Sequence, residues 1–321
     1  MTKGDNNFVS CYLLIIKESL QVMKRVKNFF NRQGVAGYIL IMPFIIGFLS
    51  FTLIPFLNSF YLAFTQYNVL TPPKWIGLAN FRKMFFEDDK FWISLKVTFK
   101  FAIVQVPVKL GFSLLVAMLL CRKSKATGFL RTMFYIPSIM GGSVAVALLW
   151  KQLFNYDGVI NQLIGIFGVK PVAWLNNTKV TLYVLILLGV WQFGSSMLIF
   201  LAALKNIPDT YYEAAQIDGA GKVTCFFKVT LPLITPVLFF NLINQIIGSL
   251  QAFNSSFLIT SGGPLDSTLY YGLHLYNRAF KYYEMGYGSA MAWFLLLIIG
   301  LLTALVFKSS STWVYYETEV K

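Results

Sequence analysis

Amide and hydroxyl side chains gather on two otherwise apolar stretches of the sequence. Trp191, Gln192, Ser195 and Ser196 lie on one, and Asn241, Asn244, Gln245, Gln251 and Asn254 lie on or just beyond the other. Amides and hydroxyls both donate and accept hydrogen bonds, and an aromatic face stacks on an apolar ring face, so this mixture suits a hydroxylated, sugar-like ligand. Asn241, Asn244 and Gln245 share one helical face by their three- and four-residue spacing. Polar side chains also join apolar helices to one another, at about 0.6–2 kcal/mol each. For each residue, then, lining a pathway and holding helices together both stay open. Lys109 sits deep in a third apolar stretch. A charge at such depth costs at least about 2.5–3.5 kcal/mol unless it faces protein or water. Its partner can be a helix-end carbonyl, an acid near the end of a helix, another subunit or an acidic saccharide.

What is missing narrows the chemistry. All 13 acidic residues fall outside the apolar cores. Ion-coupled transporters hold the coupling ion with intramembrane carboxylates or broken helices. A membrane enzyme needs a nucleophile with its base, or metal ligands. The single histidine, His274, falls in a connecting segment and reads as surface packing. The G-x-x-x-x-G-K-[ST] phosphate loop does not occur, and Gly219-Ala220-Gly221-Lys222 lacks its spacing. The chain is therefore not itself an enzyme and carries no cofactor, and the energy for any uphill step comes from a partner.

Residues 207–221 read as a short helix. Pro208 and Asp209 favour its start, Thr210 with Glu213 fits a capping box, and Gly219 supplies a stop. The paired Ala214 and Ala215 permit close approach of another surface. A docking element and an ordinary interfacial helix are both open on spacing alone.

The elements that must carry these residues are membrane helices. Of 321 residues, 57% are hydrophobic and 12% charged, about half the charge of an ordinary soluble domain. No Asp, Glu, Lys or Arg occurs in residues 33–73, 132–150, 180–204, 229–265 or 285–307. A helix of roughly 20 apolar residues crosses a bilayer. With the interrupted stretch 91–121, this makes an all-α integral membrane protein with six transmembrane helices. The segments before the first span, between spans two and three, between four and five, and after six hold 6, 4, 3 and 2 Lys or Arg residues, against 4, 3 and 2 in the segments facing the other way. By the positive-inside rule both termini are cytoplasmic. The net charge of +14 thus reads as topology and contact with anionic lipid, not nucleic-acid binding. Cys11, Cys121 and Cys225 fall on the reducing side, so no disulfide is expected.

The run Glu213-Ala214-Ala215, then Gly219, then Val229-Thr230-Leu231-Pro232 resembles the EAA loop of membrane subunits of bacterial ABC importers, with valine where that pattern has isoleucine. Trp75-Ile76-Gly77-Leu78-Ala79-Asn80-Phe81, Phe134-Tyr135-Ile136-Pro137, Ser261-Gly262-Gly263-Pro264 and Met285-Gly286-Tyr287-Gly288-Ser289-Ala290 resemble the carbohydrate-uptake branch, similar to maltose and multiple-sugar permeases. The resemblance covers nearly all the chain after about residue 35. It implies a type I importer permease fold in a bacterial cytoplasmic (inner) membrane. It implies a second homologous permease subunit, two ATP-binding subunits that carry ATP and Mg, and an external solute-binding protein that delivers a carbohydrate. Glu213, Ala214, Ala215 and Gly219 would form a coupling helix seated on one ATPase.

The expected organisation is a basic amphipathic segment (1–34), a first transmembrane helix with its external loop (35–90), a core permease domain (91–307) containing the coupling loop (205–231), and a cytoplasmic tail (308–321). Leu13, Ile16, Leu20, Met23, Val26 and Phe30 recur at helical spacing among basic residues, as on a helix lying at a membrane surface; Met23 is an alternative start. The functional expectation is a channel-forming and coupling subunit of an ATP-driven importer of an oligosaccharide, neutral or acidic. The candidate pathway residues are Lys109, Trp191, Gln192, Ser195, Asn241, Asn244, Gln245 and Asn254. A same-fold permease for a non-sugar solute and an ion-coupled secondary transporter are the alternatives.

Overall fold

The computed structural model describes residues 33–121 and 127–315. The expected surface helix, the choice between Met1 and Met23, Cys11, the basic loop at 122–125 and the end of the tail lie outside the described residues. The chain divides into two compact units at Tyr61 and Leu62.

The first unit is a helix built from α1 (Gln33–Phe48), a π-helical turn (Leu49–Leu53) and most of α2 (Ile54–Ala63). Its stretch Leu40–Ala63 is long and apolar enough to cross a membrane.

The second unit begins with a two-residue antiparallel ribbon, β1 (Thr65–Gln66) on β2 (Lys74–Trp75), with Thr65 opposite Trp75. Short α3 (Ala79–Phe86) follows. Buried Asn80 donates to the carbonyls of Ala63 and Thr65, both at 2.9 Å, and fixes this corner. The central element is α4 (Asp89–Cys121), 33 residues long. Pro107 lies inside it without ending it, as prolines are tolerated in membrane helices. Then come α5 (Thr127–Met140), α6 (Val144–Leu153), α7 (Val159–Ile166), α8 (Thr181–Trp191), α9 (Gly194–Lys205), α10 (Asp209–Ile217) and α11 (Lys222–Cys225). A π-helical turn (Phe226–Thr230) leads into α12 (Leu231–Leu250). Irregular chain, α13 (Tyr271–Tyr276) and the π-helical turn Asn277–Lys281 precede α14 (Met285–Trp313).

Among the described residues four helices are unbroken and membrane-length, namely Leu40–Ala63, Asp89–Cys121, Lys222–Leu250 and Met285–Trp313. Two further helix pairs are long and apolar enough only when taken together, and each is bent at a break. The pair α5 and α6 bends by 100°, and the pair α8 and α9 by 44°. The charge-free windows 132–150 and 180–204 predict continuous helices, and here the structure differs. Gly141-Gly142-Ser143 interrupts the first and Gln192-Phe193 the second. Hydropathy registers depth in the membrane and not backbone continuity, so neither break disturbs the apolar signal.

Helix α4 packs against α8, α9, α12 and α13. One core lies around Val106, Leu110, Ala117, Met197, Phe200 and Ile234. A second joins Met84, Phe91, Tyr271, Tyr287 and Met291 at the Asp89 end of α4. A third gathers Phe101, Leu182, Leu185, Leu188 and Tyr270 beside the broken helices. Large side chains such as Ile103, Leu119, Leu297 and Leu301 point outward and stay exposed, as hydrocarbon-facing residues do.

Candidate functional site

The two helix breaks face each other, and a cavity of about 400 Å3 opens beside them. Irregular backbone is tolerated at membrane depth where it is buried in protein or lines a water-filled space. Here the freed groups are paired. Gln192 Nε2 donates to the Gly141 carbonyl at 3.2 Å, linking the breaks directly. Ser195 N–H donates to Ser138 Oγ at 3.1 Å. Ser143 caps α6 by accepting from the Val146 N–H. Buried Ser113 on α4 lies with its hydroxyl 2.6 Å from the Lys109 carbonyl and 3.2 Å from that of Phe193, and donates to them.

Five side-chain amides and one ammonium line the cavity, among serines, glycines and apolar side chains. Gln105 and Lys109 come from α4, Gln192 from the second break, Gln245 from α12, and Gln251 and Asn254 from the chain after it. Gln245 Nε2 donates to buried Ser196 Oγ at 3.1 Å, which leaves its carbonyl oxygen for another donor. Gly189 permits the arrangement, because a Cβ there would overlap the Gln105 amide. Phe101 and Phe253 add aromatic surface. Of the candidates read from sequence, Lys109, Gln192, Gln245 and Asn254 therefore line one cavity.

Four do not. Trp191 lies outside it and packs on Trp150, with ring centroids 5.8 Å apart. Ser195 is exposed. Asn241 is buried and donates to the Val237 carbonyl at 3.1 Å, and exposed Asn244 donates to the Phe240 carbonyl at 2.8 Å. Both amides are turned onto their own helix, a role that side-chain type and spacing do not distinguish from pathway lining. Gln105 and Gly189 escaped the reading because each sits in a mostly apolar run and gains meaning only across the α4–α8 contact.

The Lys109 ammonium, half-buried in the cavity wall, has no ion-pair or hydrogen-bond partner among the described residues. At the Asp89 end of α4 a buried carboxylate is paired instead. Asp88 is 4% exposed. It accepts from Tyr287 Oη at 2.7 Å and from His274 Nε2 at 2.8 Å, and Arg278 Nη2 stands 3.1 Å away. Glu284 joins Arg278, at 3.3 Å, to Lys83, at 2.7 Å. Burial alone would raise the Asp88 carboxyl, but the hydrogen bonds from His274 and Tyr287 and the Arg278 guanidinium hold it well below the usual carboxylate range. His274 is 3% exposed. The expectation of a surface histidine is thus corrected, for its partner lies 186 positions away in sequence.

At the other end of the spans, α10 carries Glu213, Ala214 and Ala215 and has no buried residue. The expected capping box is absent. Pro208 occupies the N-cap, with no side-chain cap. The predicted stop is present: Gly219 adopts φ +76°, a conformation that costs other residues roughly 1–2 kcal/mol. Tyr212 Oη meets Thr230 Oγ1 at 3.0 Å and ties α10 to the base of α12. Around α10, Ile217, Val223 and Phe227 are 87%, 72% and 60% exposed, more apolar surface than a short polar loop leaves uncovered on its own.

Residues 109–314 match the family model described as binding-protein-dependent transport system inner membrane component. The chain belongs to this family. It is a membrane permease subunit and not itself catalytic. Among curated relatives, it is 53% identical over 300 residues to the probable ABC transporter permease protein YesP of Bacillus subtilis (strain 168), covering 92% of this chain and 97% of that one. It is 33% identical to the lactose transport system permease protein LacF of Rhizobium radiobacter, over 86% of this chain and 94% of the relative. It is also 33% identical to the trehalose/maltose transport system permease protein MalF of Thermococcus litoralis, over 81% and 88%. Its fold matches a chain from the crystal structure of a bacterial ABC transporter involved in import of the acidic polysaccharide alginate. The TM-score is 0.77, at 21% identity, over 91% of this chain and 98% of that chain.

Proposed function

We propose that this permease is the channel-forming and coupling subunit of an ATP-driven importer that takes an oligosaccharide across a bacterial cytoplasmic membrane, with both of its termini in the cytoplasm. The observation that carries the reading is the amide-lined cavity where two broken helices face each other. Gln105, Gln192, Gln245, Gln251 and Asn254 offer donors and acceptors matched to sugar hydroxyls, and Phe253 offers a stacking face. Relatives named for lactose and for trehalose and maltose support the same substrate class. The excess of Lys and Arg in the segments expected to be cytoplasmic supports the orientation.

The partners are a second, homologous permease subunit, two ATPase subunits that hold ATP and Mg, and an external solute-binding protein. Helix α10, which has no buried residue, is the coupling helix, and Ala214 and Ala215 let the ATPase surface approach closely. ATPase closure displaces α10, and the Tyr212–Thr230 contact passes that displacement to α12, which carries Gln245 of the cavity. The bundle then rocks between inward- and outward-facing states, biased by ATP on one side and the loaded binding protein on the other. Affinity purification in mild detergent, read by mass spectrometry, tests the assembly. Recovery of a second six-span permease and a phosphate-loop ATPase is expected. A chain recovered alone or only with copies of itself would contradict the reading.

A further inference from the structure

Charge along the cavity is one-sided. Among the described residues Lys109 is the only ionisable side chain in its wall, and no Asp or Glu lines it. A neighbouring groove of about 400 Å3, lined by Phe257, Ser261, Tyr276, Asn277, Phe280 and Lys281, again holds a lysine and no acid. Four rings join the two spaces. Phe253 of the cavity stacks on Phe257 at 5.0 Å, Phe257 meets Tyr276 at 5.3 Å, and Tyr276 meets Phe280 at 5.3 Å. The nearby carboxylates of Asp88, Glu284 and Asp266 are occupied by His274 and Arg278, by Lys83 and Arg278, and by Lys90. A row of ring contacts thus links the walls of the two spaces, each of which holds one lysine and no carboxylate among the described residues.

A neutral sugar needs only the amides and the rings. An ammonium at membrane depth with no partner among the described residues adds a cost that a neutral ligand does nothing to offset. A carboxylate on the ligand offsets it, since ammonium and carboxylate attract far more strongly in a confined, poorly hydrated site than in water. We infer that the cavity takes an anionic saccharide of the hexuronate class, with Lys109 as the residue that engages its carboxylate. The inference rests on the saccharide-permease reading above.

The test uses the complete complex, with its binding protein, in proteoliposomes. The probes are hexuronate oligosaccharides of two to five residues and their carboxyl-reduced, neutral counterparts. Wild-type protein is expected to import the hexuronates. Lys109→Met should lower that uptake at least tenfold, and Lys109→Arg should hold it within threefold, with assembly of both variants verified by gel filtration. Unchanged hexuronate uptake in Lys109→Met overturns the inference, as does import of the neutral counterparts alone, and in both cases the saccharide reading stands. Equal losses in Lys109→Arg and Lys109→Met would assign the lysine to packing and likewise overturn it. Import of neither probe set overturns the saccharide reading along with it.

Discussion

Asp88 shows how much one side chain can hold in this molecule. Its carboxylate, at the junction of α3 and α4, receives His274 from α13, Arg278 from the turn after it and Tyr287 from α14. Removing one member of a buried ion pair costs about 3–5 kcal/mol because the other is left uncompensated. Asp88→Asn should therefore lower the melting temperature of the detergent-solubilised protein markedly, while Lys90→Ala, at an exposed pair with Asp266, should scarcely move it. The pH dependence follows in sign. A carboxyl whose folded pKa is depressed gives stability that is complete above its unfolded value, about 3.9, and is lost as pH falls towards the folded value. Melting temperature should thus be flat for this group from pH 8 to 5 and fall below about pH 4, and Asp88→Asn should remove that part of the fall. A second test concerns Gly189, where Leu would drive into Gln105 across the α4–α8 contact. Gly189→Leu should reduce transport severely, measured as substrate uptake, while assembly with the partner subunits persists. Neither Asp88 nor Gly189 was legible in the sequence. Their partners are 84 or more positions away, so only the folded chain brings them together.

At the scale of the element, helix α10 and the broken spans carry the account. The limits of α10 could be read in advance, because Pro208 starts a helix and Gly219 stops one through local backbone rules. The Thr210–Glu213 box did not form, since Pro208 took the N-cap instead. Gly219→Val, forced to φ +76°, should disturb only the end of α10, for a Cβ there meets no other atom. Glu213→Lys reverses an exposed charge. Both variants should fold and insert normally yet lose ATP-driven transport, and co-purification of the ATPase should fall. Normal uptake by both would remove the coupling role. The breaks in α5–α6 and α8–α9 were hidden within uniform apolar windows, yet they create the site. The polar cluster on 191–196 was visible, but which of its members turn towards the cavity was not, because the chain bends by 44° between α8 and α9.

For the whole molecule, the helical membrane fold class was legible, since bilayer thickness and backbone hydrogen bonding leave few solutions for a chain this apolar. The cavity was legible only in part. Lys109, Gln192, Gln245 and Asn254 were identified by type and depth, whereas Gln105 depends on packing between helices. On the proposed reading, ATP spent beneath α10 drives a saccharide through the amide-lined cavity. Its most direct test is reconstitution of the full complex in proteoliposomes, with labelled oligosaccharide and binding protein on one side and ATP on the other. Accumulation against a gradient should require ATP, binding protein and this chain together, and Gln192→Leu with Gln245→Leu should lower it at least tenfold. Accumulation without ATP, driven by an ion gradient, or uptake unaffected by loss of both glutamines, would contradict it.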